Sequence, residues 1–124
     1  MVVVADEVAN SEVEKSVMQI AAQSLGMDSR FFTIEQTINT IHKASSSQKI
    51  LLLCKTPKTL RKLIEGGVDI DIVNIGNMHF SEGKKAISDK VYVDDDDLAD
   101  LNYIKSKVEE IYIRDTPNSK KEKF

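Results

Sequence analysis

The chain has 124 residues, a formal net charge of −3 and 41% hydrophobic residues, which suits one globular domain. Acidic and basic residues are interleaved without a basic stripe, and this argues against a nucleic-acid partner. No apolar run is long enough for a membrane span and no signal peptide is recognised, so we expect a soluble, cytoplasmic protein. Cys54 is the single cysteine, so we expect neither an internal disulfide nor a cysteine metal site.

The first half of the chain alternates strand-like and helix-like segments. The apolar run 1–5 predicts a strand that is buried on both faces. A capping box at 11–14 opens a helix that ends at Gly26. After a strand at 30–32, a second capping box at 33–36 opens another helix. The expected buried stripe of the first helix consists of Val13, Val17, Ile20 and Ala21.

The second half of the chain continues this alternation. The run 50–54 predicts a fully buried strand, after which Thr56 and Pro57 supply the N-cap and first residue of a helix. Four aspartates at 94–97 open a last helix. Consecutive side chains splay around a helix, so capping and dipole complementarity explain these aspartates better than a shared metal ion. Further strands are expected at 73–75, 86–87, 91–93 and 111–113.

This order of elements predicts an α/β fold with three layers, in which a mostly parallel sheet carries helices on both faces. We expect a single domain at 1–115 and a polar, frayed C-terminal tail at 116–124. The strand at 1–5 has the composition of a central strand, yet no earlier element is there to lie beside it. Its apolar edge is therefore expected to be exposed and to favour pairing with another chain, as a homo-oligomer.

Six segments of the chain follow one another in the order found in one protein family. They lie at 3–10, 50–57, 63–68, 73–80, 83–88 and 91–94. Together they resemble the IIB component of the mannose/sorbose-type sugar phosphotransferase system. The strings Cys54-Lys55-Thr56-Pro57 and Asn77-Met78-His79 are similar to its galactosamine/N-acetylgalactosamine branch.

The resemblance implies a phosphotransferase of the bacterial cytoplasm that relays a phosphoryl group. A IIB protein accepts this group on a histidine from a IIA partner. It then passes the group to a sugar, here an amino sugar such as N-acetylgalactosamine, which the membrane components IIC and IID bring in. Peripheral association with those membrane components follows, and the resemblance implies neither a cofactor nor a metal.

The chain departs from the family at the phospho-acceptor histidine. In the family this residue lies near the N-terminus, in a loop that reads roughly Asp-x-Arg-Leu-Ile-His-Gly-Gln, and nothing in this sequence corresponds to it. The strand at 1–5 aligns with the family's second strand, so the first βα element is missing. We therefore expect either a truncated product or a misplaced start, and we assign no catalytic residue.

The remaining site residues are expected around a crevice at the carboxyl ends of the parallel strands. Gly76 lacks a Cβ and would let an anion or a partner approach the backbone closely. Lys55 and Thr56 lie where a strand leads into a helix, so they could receive a phosphate together with backbone amides. Thr56 could equally serve as an N-cap. The complete predicted pocket is Asp6, Lys55, Thr56, Gly76, Asn77 and His79.

Two more of these residues have two interpretations each. Asp6 either orients the acceptor histidine, as carboxylates beside functional imidazoles do, or belongs to a polar turn. His79 either contacts phosphate or a partner protein, or is a loop histidine bonded to nearby backbone. His42 is expected to be a partly exposed histidine at the end of a helix, and Cys54 a buried, inert thiol.

A second hypothesis from a different class is also open. The chain could be a non-catalytic interaction or regulatory module that docks on phosphotransferase-system partners without turnover. Phosphorylation of the chain by phosphoenolpyruvate, the general phosphotransferase proteins and IIA would distinguish the two hypotheses.

Overall fold

A computed structural model describes residues 2–4, 12–27, 29–43, 50–116 and 118–124. Helices α1 to α4 are Glu12–Ser24, Ile34–Thr40, Pro57–Glu65 and Asp95–Lys107, and a 3-10 turn, Ile41–Lys43, follows α2. Strands β1 to β8 are Val2–Val4, Arg30–Phe32, Leu52–Cys54, Ile72–Ile75, Lys85–Ser88, Val91–Val93, Glu110–Ile113 and Glu122–Lys123. Three of the five described strand pairs are parallel, so the predicted α/β class and the mostly parallel pairing are confirmed.

The chain divides into two compact units, Met1–Val68 and Asp69–Phe124. The first unit holds a parallel sheet with strand order β2-β1-β3, and α2 and α3 contact each other. The second unit holds the order β4-β7-β8 and the antiparallel hairpin β5-β6, with α4 against β6. A single domain at 1–115 stays a prediction.

The expectation of an exposed edge at the first strand is wrong. Val3 of β1 is paired with Phe31 on one side and with Leu53 on the other, so β2 and β3 occupy both edges. The apolar run predicted a central strand correctly, but its neighbours come from later in the chain, which the order of elements alone does not reveal.

The predicted buried stripe of α1 is also wrong. Val13, Val17 and Ile20 are 76%, 63% and 68% exposed, and Ala21 is exposed as well. The inward face instead carries Ala22, which is buried at 2% exposure, together with the half-buried Lys15 and Met18. The capping box expected at 11–14 rests on Ser11 and lies outside the described residues.

The strand predicted at 50–54 is shorter and less buried than expected. Strand β3 begins at Leu52, and Ile50 and Leu51 are 40% and 50% exposed. The helices that follow bury their predicted apolar positions: Leu63 in α3 and Ile104 in α4 have no exposed surface. These two side chains anchor the cores of the first and second units.

The C-terminal segment is polar, and its described residues include a short strand. Strand β8 pairs antiparallel with β7, where Tyr112 lies opposite Lys123. The ammonium of Lys121 is 2.8 Å from Glu110 Oε1 and 4.2 Å from the centre of the Tyr112 ring. An ion pair and a cation–π contact therefore hold a segment whose polar composition predicted a loose tail.

Candidate functional site

Lys55 and Thr56 lie where β3 leads into α3, as predicted. Thr56 is the N-cap, because the Thr59 amide donates to its Oγ1 at 3.3 Å, and Pro57 occupies the first helical turn. The N-cap interpretation of Thr56 is thus confirmed. The Lys55 side chain is exposed beside this cap.

The start of α3 has the chemistry of an anion-binding helix terminus. Pro57 has no amide hydrogen, and the Thr59 amide is taken by the cap. For the amide of Lys58, no acceptor occurs among the described residues. One free amide, the positive end of the helix dipole and the ammonium of Lys55 together suit a phosphoryl oxygen.

Gly76, Asn77 and His79 follow the carboxyl end of β4, also as predicted. A Cβ built on Gly76 would meet no described atom within 4 Å, and its φ is not positive. Within the described residues, neither a close neighbour nor a strained backbone therefore requires glycine here. No described side chain fills the space above Gly76.

Asn77 and His79 are both exposed on a loop whose centre is fixed. The intervening Met78 forms a parallel bridge to Val91 of β6 and is half-buried. Within the described part of the chain, the His79 ring has no hydrogen bond or ion pair, so the alternative of a histidine bonded to nearby backbone is not seen there. A free imidazole on a fixed loop can meet a phosphate or a partner protein.

Sequence reasoning missed the contacts that hold this loop. The Phe80 ring packs edge-on against Tyr92, with centroids 5.4 Å apart and planes at 77°. Lys84 Nζ lies 3.0 Å from Asp97 Oδ2. No local pattern in the sequence indicates that Lys84 pairs with a residue of α4.

The aspartate run at 94–97 caps α4, as predicted. Asp94 and Asp97 form a reciprocal capping box, in which each side chain accepts from the other's amide. The pKa of Asp94 is below its ordinary value, mainly because its carboxylate accepts from the Asp97 amide. Lys84 adds a smaller favourable charge interaction.

His42 has the simple role expected of it, whereas Cys54 is half-buried and not buried as predicted. His42 is exposed in the 3-10 turn that follows α2. Burial raises the pKa of the Cys54 thiol to about 11, so this cysteine is a thiol and not a thiolate nucleophile at neutral pH.

The predicted pocket thus falls into two groups in the described chain. Lys55 and Thr56 are adjacent in the first unit, and Gly76, Asn77 and His79 share one loop of the second. Asp6 lies outside the described residues.

No helix in the described ranges combines the length and apolar character needed to cross a bilayer.

Comparison with known proteins agrees with the resemblance read from the six segments. The family model described as the sorbose subfamily IIB component of the phosphotransferase system matches residues 1–124. The chain is 56% identical to the N-acetylgalactosamine-specific phosphotransferase enzyme IIB component 1 of Escherichia coli K12. That alignment covers 100% of this chain and 78% of the relative.

A solved structure and a more distant relative give the same result. The crystal structure of N-acetylgalactosamine-specific IIB component 1 from Escherichia coli superimposes with a TM-score of 0.93 at 56% identity, covering 99% of this chain and 80% of that one. The mannose-specific EIIAB component of Escherichia coli K12 is 29% identical over 92% of this chain and 35% of its own length. The resemblance predicted from the sequence is confirmed.

Proposed function

Since the chain belongs to the sorbose subfamily of phosphotransferase-system IIB components, we propose that it is the IIB component of an N-acetylgalactosamine system. IIB components are phosphotransferases that relay a phosphoryl group between a IIA protein and a sugar carried by membrane components IIC and IID. The observation that carries the choice of sugar is the contrast in identity. The chain is 56% identical to the N-acetylgalactosamine-specific relative and 29% identical to the mannose-specific one.

The first part of the proposal concerns phosphoryl handling at α3. Lys55 contributes a charge, the Lys58 amide a hydrogen-bond donor and Thr56 the cap that fixes the first turn. Phosphoryl relay depends mainly on positioning and on stabilising the charge of the oxygens. We propose that these groups contact the oxygens of the phosphoryl group while it is transferred.

The second part concerns the loop after β4. Asn77 and His79 are exposed, and Gly76 leaves the backbone open to close approach. We propose that these three residues contact the IIA protein or its phosphoryl group. A donor imidazole and a side-chain amide are suited to either contact. Asp6, as an orienting carboxylate, stays a prediction.

Location and assembly belong to the same proposal. As a IIB component the chain would work in the cytoplasm, associated peripherally with the membrane components. A homo-oligomer no longer has the support of an exposed β1 edge. The exposed apolar stripe of α1, which is Val13, Val17 and Ile20, supports it instead.

The experiment compares binding of two forms of one partner. The IIA protein of the N-acetylgalactosamine system is prepared unphosphorylated, and phosphorylated with phosphoenolpyruvate and the general phosphotransferase proteins. Lys55→Ala should weaken binding of the phosphorylated form about 5- to 10-fold, because a charged hydrogen bond is lost. Binding of the unphosphorylated form should not change. Calorimetric titration of the full chain measures both.

Lys62→Ala is the matched control, because Lys62 is an exposed lysine near the other end of α3. It should bind both forms of IIA like the unaltered chain. If Lys55→Ala binds phosphorylated IIA as tightly as the unaltered chain does, the proposed phosphoryl contact at α3 is contradicted. Tight binding of IIA with no such dependence would favour the non-catalytic interaction module instead.

A further inference from the structure

The loop between β4 and β5, residues 76–84, is fixed at its centre by backbone hydrogen bonds. The Met78 amide donates to the Lys90 carbonyl at 2.9 Å, and the Tyr92 amide donates to the Met78 carbonyl at 3.0 Å. This pair of bonds ties the loop to β6. It leaves Asn77 and His79 exposed on either side of the attachment.

The loop has a second attachment through aromatic side chains. Phe80 packs edge-on against Tyr92, yet it remains 65% exposed. An edge-on contact of this kind is favourable beyond the area that it buries, because the positive ring edge meets the negative ring face. The ring contact therefore attaches the residue after His79 to β6, although most of the Phe80 side chain stays exposed.

The third attachment lies at the C-terminal end of the loop. Lys84 Nζ is 3.0 Å from Asp97 Oδ2, and the two side chains are only 24% and 18% exposed. Because the pair is shielded from water, its charges interact more strongly than those of an exposed surface pair. The pair joins the loop to the first turn of α4.

Helix α4 does not need Lys84 for its cap. The Asp94 amide donates to Asp97 Oδ2 at 3.2 Å, and the Asp97 amide donates to Asp94 Oδ1 at 2.7 Å. These reciprocal bonds satisfy the helix start without a cation. What Lys84 adds is the connection between the helix and the loop.

We infer that Lys84 is a positioning residue for the partner-binding loop. Its ion pair with Asp97 fixes the end of the loop and so sets where Asn77 and His79 meet the IIA protein. This inference rests on the proposed function, which assigns the IIA contact to that loop. Lys84 acts through the loop and does not itself touch the phosphoryl group.

The test measures binding of unphosphorylated IIA to variants of the full chain. Lys84→Met keeps most of the length of the side chain but removes its charge, and it should raise the Kd for IIA about 5- to 10-fold. Asp97→Asn retains an oxygen for the cap, and it should have the same effect. The double variant should equal either single variant within about 2-fold, because the pair acts as one unit. Lys84→Arg should restore binding.

Two further measurements separate positioning from a loss of stability or of net charge. Hydrogen exchange of the Met78 and Tyr92 amides should become faster in Lys84→Met, because the loop is released at one end. Lys85→Met removes the neighbouring exposed lysine, and it should bind IIA like the unaltered chain. Melting temperatures are recorded for every variant.

Several results would overturn the inference. Unchanged binding by Lys84→Met would do so, as would an equal loss in Lys85→Met. A loss that Lys84→Arg does not restore and that follows the melting temperature would assign Lys84 a purely structural role. If the unaltered chain does not bind IIA, the proposed function fails together with the inference. If the Lys55 test fails while the Lys84 effect is seen, phosphoryl handling at α3 fails and the positioning role stands.

Discussion

Gly66 and Gly76 are glycines in different surroundings, and they provide a matched pair for substitution. A Cβ on Gly66 would lie 2.5 Å from Cδ1 and 2.9 Å from Cγ1 of Ile38, a β-branched residue of α2 with little χ1 freedom. We expect Gly66→Ala to lower the free energy of unfolding by about 1–3 kcal/mol through overpacking. Gly76→Ala meets no described atom and should change it by less than about 0.5 kcal/mol.

Urea denaturation followed by circular dichroism measures both variants under the same conditions. An equal loss of stability would contradict the assignment of Gly66 to the α2–α3 contact.

Gly76→Ala also tests the site. If IIA approaches this backbone closely, the added methyl group should weaken IIA binding while stability is unchanged. Normal binding would show that the glycine is not needed for that approach.

Local capping is the part of the molecule that the sequence predicted most directly. Thr33, Thr56 and Asp94 were each expected to cap a helix, and each does. A cap depends on residues within one turn of each other, so the sequence contains all the information needed. The Lys84–Asp97 pair spans 13 positions, and no such local rule predicts it.

Among the helices, α1 shows where periodicity is insufficient. The spacing of Val13, Val17 and Ile20 indicates correctly that they share one face of a helix. Periodicity cannot say which side of the helix is buried, and in this helix it is the side with the small Ala22. The short strand β8 was not predicted, because its two polar residues carry no strand pattern. The segment is held by long-range contacts such as the ion pair between Lys121 and Glu110.

The exposed stripe of α1 leads to a prediction about self-association. Burying each of its large side chains against a second copy gains about 1.5–3 kcal/mol, so the chain should associate as concentration rises. Val17→Lys combined with Ile20→Lys should abolish the association, because charged side chains resist burial at an interface. Light scattering after size-exclusion chromatography measures the mass.

Ile72→Lys provides the control for self-association. Ile72 is 59% exposed in β4 and is not part of the stripe, so this variant adds a surface lysine at a position outside the stripe. This variant should associate like the unaltered chain. If the unaltered chain is a monomer at all concentrations, self-association is contradicted. If Ile72→Lys abolishes the association as well, the stripe of α1 is not the surface responsible for it.

At the scale of the whole molecule, the order of short segments carried the family assignment. Each segment is brief, yet six in one order identified a family whose model matches residues 1–124. The positions of the described candidate residues after strand ends were predictable one by one, because the carboxyl ends of parallel strands are where such sites form. That these residues handle phosphate stays a proposal. The contacts that fix the loop at 76–84 were not predictable, because they come from β6 and α4.

The last prediction concerns the phosphoryl acceptor. His42 and His79 are the two histidines of these 124 residues, and neither lies in the family's acceptor motif. Both are exposed, and in the described residues neither ring is paired with a carboxylate that would fix its tautomer and activate it. We expect no acid-labile label on either histidine after incubation with labelled phosphoenolpyruvate, the general phosphotransferase proteins and IIA.

The Escherichia coli relative that is 56% identical, prepared at full length, is the positive control and should become labelled under these conditions. If this chain is labelled instead, His42→Gln and His79→Gln identify the position. Label that is lost only in His79→Gln would contradict the prediction. The loop after β4 would then carry the nucleophile instead of only contacting the partner. The acceptor would be the His79 imidazole, next to the Met78 residue that bridges to β6.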